Sequence, residues 1–171
     1  MPTIATIGVY GFDRDSFLAT LAGAGVDLLL DVRQRRGVRG SEYAWANAQR
    51  LQGALAEAGI DYSHLKELAP TTELRELQYR EDDRLGEGKR SRTALALEYA
   101  RLYTEQILDS VDLGPIVKWI GGDSAALLCV ERDPEACHRS LIAARLEGEW
   151  GFAVEHLRPA DWPGRRPRAK V

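Results

Sequence analysis

The sequence has little of what stabilises small secreted proteins or anchors membrane proteins. It contains two cysteines among 171 residues, too few for a disulfide scaffold or for a zinc site of four cysteines. No stretch approaches the roughly 18 uncharged apolar residues that a membrane helix needs. The start, Met1-Pro2-Thr3, lacks the basic segment of a signal peptide. These absences favour a cytoplasmic protein with reduced thiols and no membrane partner.

An excess of charge of one sign is also missing. The chain has 23 Lys+Arg against 26 Asp+Glu, which gives a formal net charge of -3. This balance excludes a uniformly basic nucleic-acid binder, but it leaves room for a local basic patch. A chain of this length, 44% apolar, buries roughly 70% of its unfolded surface, so its core needs no metal or disulfide to hold it.

Short apolar runs alternate with segments of helical pattern. Strands are predicted at residues 3–7, 26–32, 61–65, 125–131 and 152–157, and helices at 13–23, 47–58, 93–109 and about 133–148. The run from Val26 to Val32 alternates too little to have one face in water, which is typical of a parallel strand covered by helices. We therefore predict an α/β fold: a single domain with a mostly parallel central sheet flanked by helices.

One charged segment interrupts this alternation, and a basic segment follows it. Residues 73–92 carry six acids and six bases. We interpret the stretch at about 70–92 as a solvated insertion in a domain of residues 1–158, with a lid over a site as the alternative. Residues 159–171 are predicted to form a basic tail that contains proline.

The polar residues of greatest interest lie where predicted strands end. Gly8 ends the first strand, Asp31 and Arg33 end the second, His64 ends the third and Glu131 ends the fourth. In an open parallel sheet, ligands bind outside the carboxyl ends of the strands. Side chains alternate along a strand, so Asp31 and Arg33 face the same way. They fit either a structural ion pair or contact with a polar ligand.

A basic and aromatic loop follows the second strand. Four arginines fall within seven residues without an acid among them: Arg33, Arg35, Arg36 and Arg39. Tyr43 and Trp45 follow closely. Guanidinium groups beside aromatic faces suit phosphates and bases, although a run of like charges is also typical of a solvated loop.

The segment from Cys129 to Arg139 is the densest in reactive side chains. Cys137 is predicted in the first turns of a helix that opens at Asp133-Pro134, where the helix dipole lowers a thiol pKa, and His138 is adjacent. This arrangement suits a nucleophile. The spacing of Cys137 from Leu141 fits a cysteine buried in the core equally well, and both interpretations stay open.

Two further chemistries fit this segment. A metal site would draw its ligands from Cys129, Cys137, His138 and His64. Their spacing matches no standard zinc pattern, so we predict no metal and no cofactor. An anion would suit the N–H groups at the helix start together with His138 and Arg139. Glu131 then suits a general base or a hydrogen-bond acceptor.

The sequence resembles the domain of unknown function 488 family. The resemblance rests on Thr6-Ile7-Gly8, Asp31-Val32-Arg33, His64-Leu65 with Glu67-Leu68, and Cys129-x-Glu131-x-Asp133-Pro134-x-x-Cys137-His138-Arg139-Ser140-Leu141-Ile142. It covers about residues 3–157, and its last motif is long and specific. Membership implies a small cytoplasmic α/β domain with no settled activity to carry over. The resemblance also makes the polar residues of these motifs better candidates for a functional site.

The chain departs from the family pattern in three places. Members commonly read Thr-Ile-Gly-His-Ser, whereas Val9-Tyr10 follows Gly8 here. The stretch after Asp-Val-Arg lacks the usual proline and serine, and Ala69-Pro70 stands where members tend to have Gly-Gly. If the missing histidine is catalytic in the family, this chain has lost or altered the activity, and a binding role stays open.

Our leading hypothesis is a protein that binds or acts on a phosphate-bearing substrate, such as a nucleotide or nucleic acid, as a hydrolase or transferase. The predicted catalytic residues are Asp31, Glu131 and His138. The predicted phosphate or substrate contacts are Arg33, Arg36, Arg39, Tyr43, Trp45 and Arg139, and the candidate thiol is Cys137. The alternatives are a binding or regulatory module without catalysis and a cysteine-dependent thiol enzyme. The sequence does not indicate an oligomeric state.

Overall fold

The fold is built on one five-stranded sheet. The computed structural model describes residues 2–160, so the predicted tail lies outside the described residues from position 161 onward. The strands are β1 (Thr3–Ile7), β2 (Leu28–Asp31), β3 (Asp61–His64), β4 (Ala125–Leu128) and β5 (Ala153–His156). Their order is β3-β2-β4-β1-β5, and every pairing is parallel. This confirms the predicted α/β fold, with a sheet that is parallel throughout the described strands.

Helices connect and cover the strands. They are α1 (Arg14–Gly23), α2 (Ala48–Glu57), α3 (Thr72–Leu85), α4 (Leu97–Tyr103), α5 (Gly114–Ile120) and α6 (Arg139–Trp150). A π-helical turn, Thr104–Leu108, continues α4, and short 3₁₀ turns occur at Ser41–Ala46, Lys66–Leu68 and Pro134–Ala136. Within residues 2–160, no helix is both long and apolar enough to cross a membrane.

Local sequence explains the central elements. Every residue of β2 and β4 is buried, as strands covered on both faces require. Helix α1 begins at a capping box, in which the Asp13 carboxylate accepts from the Ser16 N–H at 2.7 Å and the Ser16 hydroxyl accepts from the Asp13 N–H at 3.0 Å. The chain therefore turns sharply into a helix after β1.

The charged segment at 70–92 is not the solvated insertion that its composition suggested. Most of it forms α3, which ends at Gly86 in the left-handed region with φ 67°. Leu74, Gln78 and Asp82 recur at helical spacing and are all buried against the rest of the protein. The sequence did not reveal this buried face, because two of the three inward positions are polar.

The helix predicted from Asp133-Pro134 onward is interrupted. After the 3₁₀ turn Pro134–Ala136, Cys137 is extended, with φ -139° and ψ 146°. Helix α6 begins only at Arg139. Cys137 therefore lies just before the helix instead of in its first turns.

The end of β1 packs directly against the loop that follows β4. The N–H groups of Val9 and Tyr10 both donate to the Val130 carbonyl at 3.0 Å. A Cβ atom built at Gly8 would lie 2.0 Å from the carbonyl oxygen of Glu131, well inside any van der Waals contact. Only glycine allows the two backbones to approach so closely, so Gly8 fixes the position of the 129–131 loop.

We predict that Gly8→Ala lowers the free energy of unfolding by about 1–3 kcal/mol, because the added methyl group forces the two backbones apart. Gly53→Ala is the matched control. Gly53 lies inside α2 with no atom within 4 Å of a Cβ built there, so this change is expected to be neutral or to stabilise by about 0.5–1 kcal/mol. Urea unfolding followed by circular dichroism measures both. Equal effects of the two substitutions would contradict the close approach.

Candidate functional site

A pocket with a cavity volume of about 50 Å³ opens beyond the carboxyl ends of β2 and β4. Its walls come from the loop after β2, the segment 129–138 after β4, helix α3 and the segment that leads into α4. This is the edge where an open parallel sheet binds ligands. The charged segment at 70–92 therefore forms part of a pocket wall.

Two thiols and one histidine lie together at this pocket. Cys129 and Cys137 are buried, and both line the pocket together with His138. The Nδ1 atom of His138 is 3.7 Å from the Sγ atom of Cys129 and 3.7 Å from that of Cys137. Their ligating atoms all lie within 4.8 Å of one another. The residues that the sequence analysis singled out in this motif thus converge in space.

A backbone carbonyl fixes the orientation of His138. Its Nε2 atom is 2.8 Å from the carbonyl oxygen of Val32, and because a carbonyl only accepts, Nε2 carries the proton and donates. The other ring nitrogen, Nδ1, then faces the sulfur atoms of Cys129 and Cys137. In the neutral ring, Nδ1 has one lone pair, and that lone pair is directed at the thiols.

The electrostatic environment of the cluster shifts the pKa values of the two cysteines in opposite directions. Burial alone raises the pKa of Cys137, but the hydrogen bond from the Cys129 thiol and the positive charges of His138 and Arg139 outweigh it and bring the pKa well below its usual value. Burial raises the pKa of Cys129, and the neighbouring Cys137 adds to this rise. Burial lowers the pKa of His138, but the Cys137 thiolate raises it above its usual value.

A buried guanidinium ties the charged segment to this cluster. Arg92 donates to an Asp82 carboxylate oxygen at 2.7 Å and to Oε1 of Glu131 at 2.8 Å. Its Nε also donates to the Ala136 carbonyl at 3.2 Å. Burial and the charge on Cys137 raise the pKa of Glu131, while Lys89 and Arg92 oppose that rise. The other carboxylate oxygen of Glu131, Oε2, lies 3.4 Å from the Cys129 sulfur.

Gln78 extends this connection to the start of α4. Its side-chain nitrogen donates to Asp82 at 2.9 Å, and its side-chain oxygen accepts from the Ala96 N–H at 2.9 Å. A buried amide with both ends satisfied fixes the two segments relative to each other. Helix α3 therefore holds the chain on both sides of the pocket.

Asp31 and Arg33 form a buried ion pair, one of the two arrangements that the sequence allowed. Their side chains are 0% and 1% exposed. One Asp31 oxygen accepts from Nε of Arg33 at 2.9 Å, and the other accepts from Nη2 at 2.8 Å and from the Tyr62 hydroxyl at 2.6 Å. Burial, with a contribution from Asp31, raises the pKa of Tyr62 to about 12. Arg33 lines the pocket, whereas Asp31 does not.

The remaining cations of the pocket form no close ion pair. Arg35, Arg75 and Lys89 line it, and none of them lies within 4.0 Å of a carboxylate oxygen of another described residue, although the charge of Lys89 acts on Glu131. Arg75 donates to neutral acceptors, the Gln34 side-chain oxygen at 2.6 Å and the Tyr79 hydroxyl at 3.0 Å. These contacts position its guanidinium without neutralising it.

Arg139 holds the loop beneath the pocket. It is 0% exposed, and it donates to the backbone carbonyls of Glu131 at 2.6 Å and of Arg132 at 3.1 Å. Its guanidinium does not line the pocket. The role that these contacts indicate is to fix the Glu131 backbone, and they leave little of the guanidinium for a phosphate.

The other arginines and aromatic residues of the predicted loop also lie outside the pocket. Arg36 approaches the Tyr62 hydroxyl at 3.4 Å, and Arg39 is exposed. The ring of Tyr43 packs against that of Tyr10 in a tilted arrangement, at a centroid distance of 5.1 Å. Trp45 packs on a core phenylalanine at 4.9 Å. The structure thus brings Glu131, His138, Cys137 and Arg33 together and distributes these four elsewhere.

Sequence reasoning missed several residues of the site. Asp82 and Arg92 belong to a segment with mixed charges, where nothing local marks a buried network. Arg75 and Lys89 are single charges in the same segment. The helical spacing of Leu74, Gln78 and Asp82 was the one available signal, since it indicates that this face of α3 is turned inward.

Comparisons with known proteins give one match. A family model described as domain of unknown function DUF488 matches residues 13–146, which includes β2, β4, α3 and the Cys129–Arg139 motif. Searches among curated proteins and among solved structures found no match.

We predict that Asp31→Asn lowers the free energy of unfolding by about 3–5 kcal/mol, because it leaves the buried Arg33 guanidinium without its counter-charge. Glu57→Gln is the control, since it removes a carboxylate from an exposed pair with Arg14 and is expected to change stability by less than about 1 kcal/mol. Chemical denaturation measures both. A change in Asp31→Asn as small as in the control would show that the pair is not needed for stability.

Proposed function

Since this chain belongs to the DUF488 family, whose description assigns no activity, we propose a function from the pocket itself. The pocket binds a small molecule that carries phosphate groups, such as a nucleotide, through Arg35, Arg75 and Lys89. The chemistry on the bound molecule then falls to the groups deeper in the pocket, Glu131 and His138.

The observation that carries the proposal is the unbalanced positive charge of the pocket. The charge of Arg33 is offset by Asp31, and that of Arg92 by two carboxylates. Arg35, Arg75 and Lys89 remain without ion-pair partners among residues 2–160. Three cations that line one pocket favour an anion there, and phosphate is the anion that arginine forks match best.

The lining of the pocket favours a small molecule over a nucleic acid. The cavity itself is small, about 50 Å³, so it has room for a phosphate group, while the rest of a nucleotide would lie in the open part of the pocket. Tyr79 and Tyr99 line it as well, and tyrosine faces suit a planar base or a similar ring. The aromatic and arginine residues that suggested a nucleic-acid surface, such as Tyr43 and Arg39, lie outside this pocket.

The proposed phosphate contacts therefore differ in part from those that the sequence suggested. Arg35, Arg75 and Lys89 take the role that the sequence analysis gave to Arg36, Arg39 and Arg139. The two alternatives from the sequence, a binding module without catalysis and a thiol enzyme, share the same pocket. Turnover of a bound compound separates an enzyme from a binding module.

The test is isothermal titration calorimetry of the full chain at low salt with pyrophosphate, adenosine monophosphate, adenosine triphosphate and a short single-stranded oligonucleotide. We expect the small phosphates to bind, with an affinity that falls as salt is added. Arg75→Gln is expected to weaken binding at least about tenfold, because it removes a charged donor. Arg80→Gln is the control, since Arg80 lies exposed on the same helix and does not line the pocket.

Two results would contradict the proposal. One is the absence of binding by any small phosphate in the panel. The other is an affinity in Arg75→Gln equal to that in Arg80→Gln. An oligonucleotide that binds more tightly than the nucleotides, and that is indifferent to Arg75→Gln, would instead favour a nucleic-acid surface away from the pocket.

A further inference from the structure

We infer that Cys129, Cys137 and His138 form a binding site for a zinc-like divalent metal ion at the pocket. The sequence offers these ligands together with His64, but their spacing matches no standard zinc pattern, so no metal was expected. Among the described residues, they are the one group of three or more His, Cys, Asp or Glu side chains whose ligating atoms converge in this way. This inference goes beyond phosphate binding and does not depend on it.

Two of the three distances between ligand atoms match a tetrahedral metal site, and the two sulfur atoms lie within 4.8 Å of each other. Zinc bonds of about 2.3 Å to sulfur and about 2.0–2.1 Å to nitrogen hold the two ligand atoms about 3.5 Å apart at a tetrahedral angle. Both sulfur-to-Nδ1 distances are 3.7 Å here. Two ligand pairs therefore lie close to the separation that a shared ion requires.

Because Nε2 of His138 donates to the Val32 carbonyl, the neutral ring offers one lone pair at Nδ1, and both sulfur atoms approach this nitrogen equally closely. Without an ion, the Cys129 thiol donates to Oε2 of Glu131 at 3.4 Å. An ion at the cluster would bind the lone pair and both sulfur atoms at once.

The environment of the ring is that of a metal ligand. Histidine ligands commonly donate their second N–H to a carbonyl or carboxylate, which fixes the tautomer and the direction of the free nitrogen. The Val32 carbonyl, which follows directly after β2, accepts this second N–H from His138. The ring needs no rotation to present Nδ1 to an ion between the two sulfur atoms.

The ligand chemistry selects the metal. Two cysteine sulfurs and an imidazole nitrogen are soft or intermediate donors, which favour Zn²⁺ over Mg²⁺ or Ca²⁺. Three protein ligands with a fourth position left for water or substrate are typical of catalytic zinc. All three ligands line the pocket, and Glu131 lies beside them, so an ion here would be within reach of a pocket ligand. It would serve that ligand as a Lewis acid.

His64 does not belong to the site. It lies at the end of β3, and its Nε2 atom is 2.7 Å from the carbonyl oxygen of Arg33. It does not line the pocket. The four-ligand set that the sequence suggested therefore separates into three convergent residues and one that binds the backbone, which provides a matched control.

The test is metal binding by the full chain, first freed of metal with a chelator and kept reduced with a phosphine. Addition of Zn²⁺ followed by dialysis and elemental analysis is expected to give one ion per chain. Titration with Co²⁺ is expected to give the intense visible absorption of a tetrahedral ion and a thiolate-to-metal charge-transfer band. Cys129→Ser and Cys137→Ser are each expected to lower the metal affinity at least about 100-fold, beyond the effect of an outer-shell change.

His64→Gln and Arg75→Gln are the controls, and both are expected to bind the ion as the wild type does. Arg75→Gln also separates the two proposals, because it should lose phosphate affinity and keep the metal. Circular dichroism confirms that each variant is folded. If a cysteine variant does not fold, the stoichiometry and the Co²⁺ spectrum of the wild type still decide the question.

The inference is overturned if the reduced wild-type chain retains no zinc after dialysis, or if Co²⁺ keeps the weak spectrum of the hydrated ion. It is equally overturned if the cysteine variants bind metal as tightly as His64→Gln. In those cases the two thiols and His138 act without a metal, which returns the cluster to the thiol-enzyme hypothesis.

Discussion

The candidate site depends on the ion pairs of the buried Arg92 guanidinium. Arg92 bridges Asp82 of α3 and Glu131 beyond β4, so it joins the most charged part of the chain to the carboxyl edge of the sheet. Removing these ions from water costs several kcal/mol each unless hydrogen bonds offset it. Here Arg92 donates to two carboxylates and to the Ala136 carbonyl. Helix α3 becomes a wall of the pocket because this contact draws it inward.

Backbone groups determine the chemistry at the floor of the pocket. The Val32 carbonyl sets the tautomer of His138, and the extended conformation of Cys137 brings its sulfur to the same nitrogen as Cys129. Arg139 holds the Glu131 carbonyl from below, and Gly8 allows β1 to approach it. Side chains that react are thus oriented by neighbours that do not, as in other sites where preorganisation fixes geometry.

Much of the fold and part of the site could be predicted from the sequence. Unbroken apolar runs indicated the buried parallel strands, and the strand ends indicated the edge where Arg33, Glu131, Cys137 and His138 meet. The rest depended on contacts between distant segments. Arg75 and Lys89 carry no local signal, and the phosphate role given to Arg139 followed from its place beside His138, whereas its donors are taken up by backbone carbonyls.

The sequence by itself determined the α/β class, the parallel sheet and the family, because these follow from local hydrophobic patterns and one long motif. Only the tertiary structure decided which charges are buried and which are free. Asp31 neutralises Arg33 and two carboxylates neutralise Arg92, so the positive charge that remains belongs to Arg35, Arg75 and Lys89. The composition of the whole chain conceals this difference, because its acids and bases sum to a net charge of only -3. Two cysteines, too few for a disulfide scaffold, converge with His138 because the extended conformation of Cys137 brings its sulfur to the nitrogen that Cys129 also approaches.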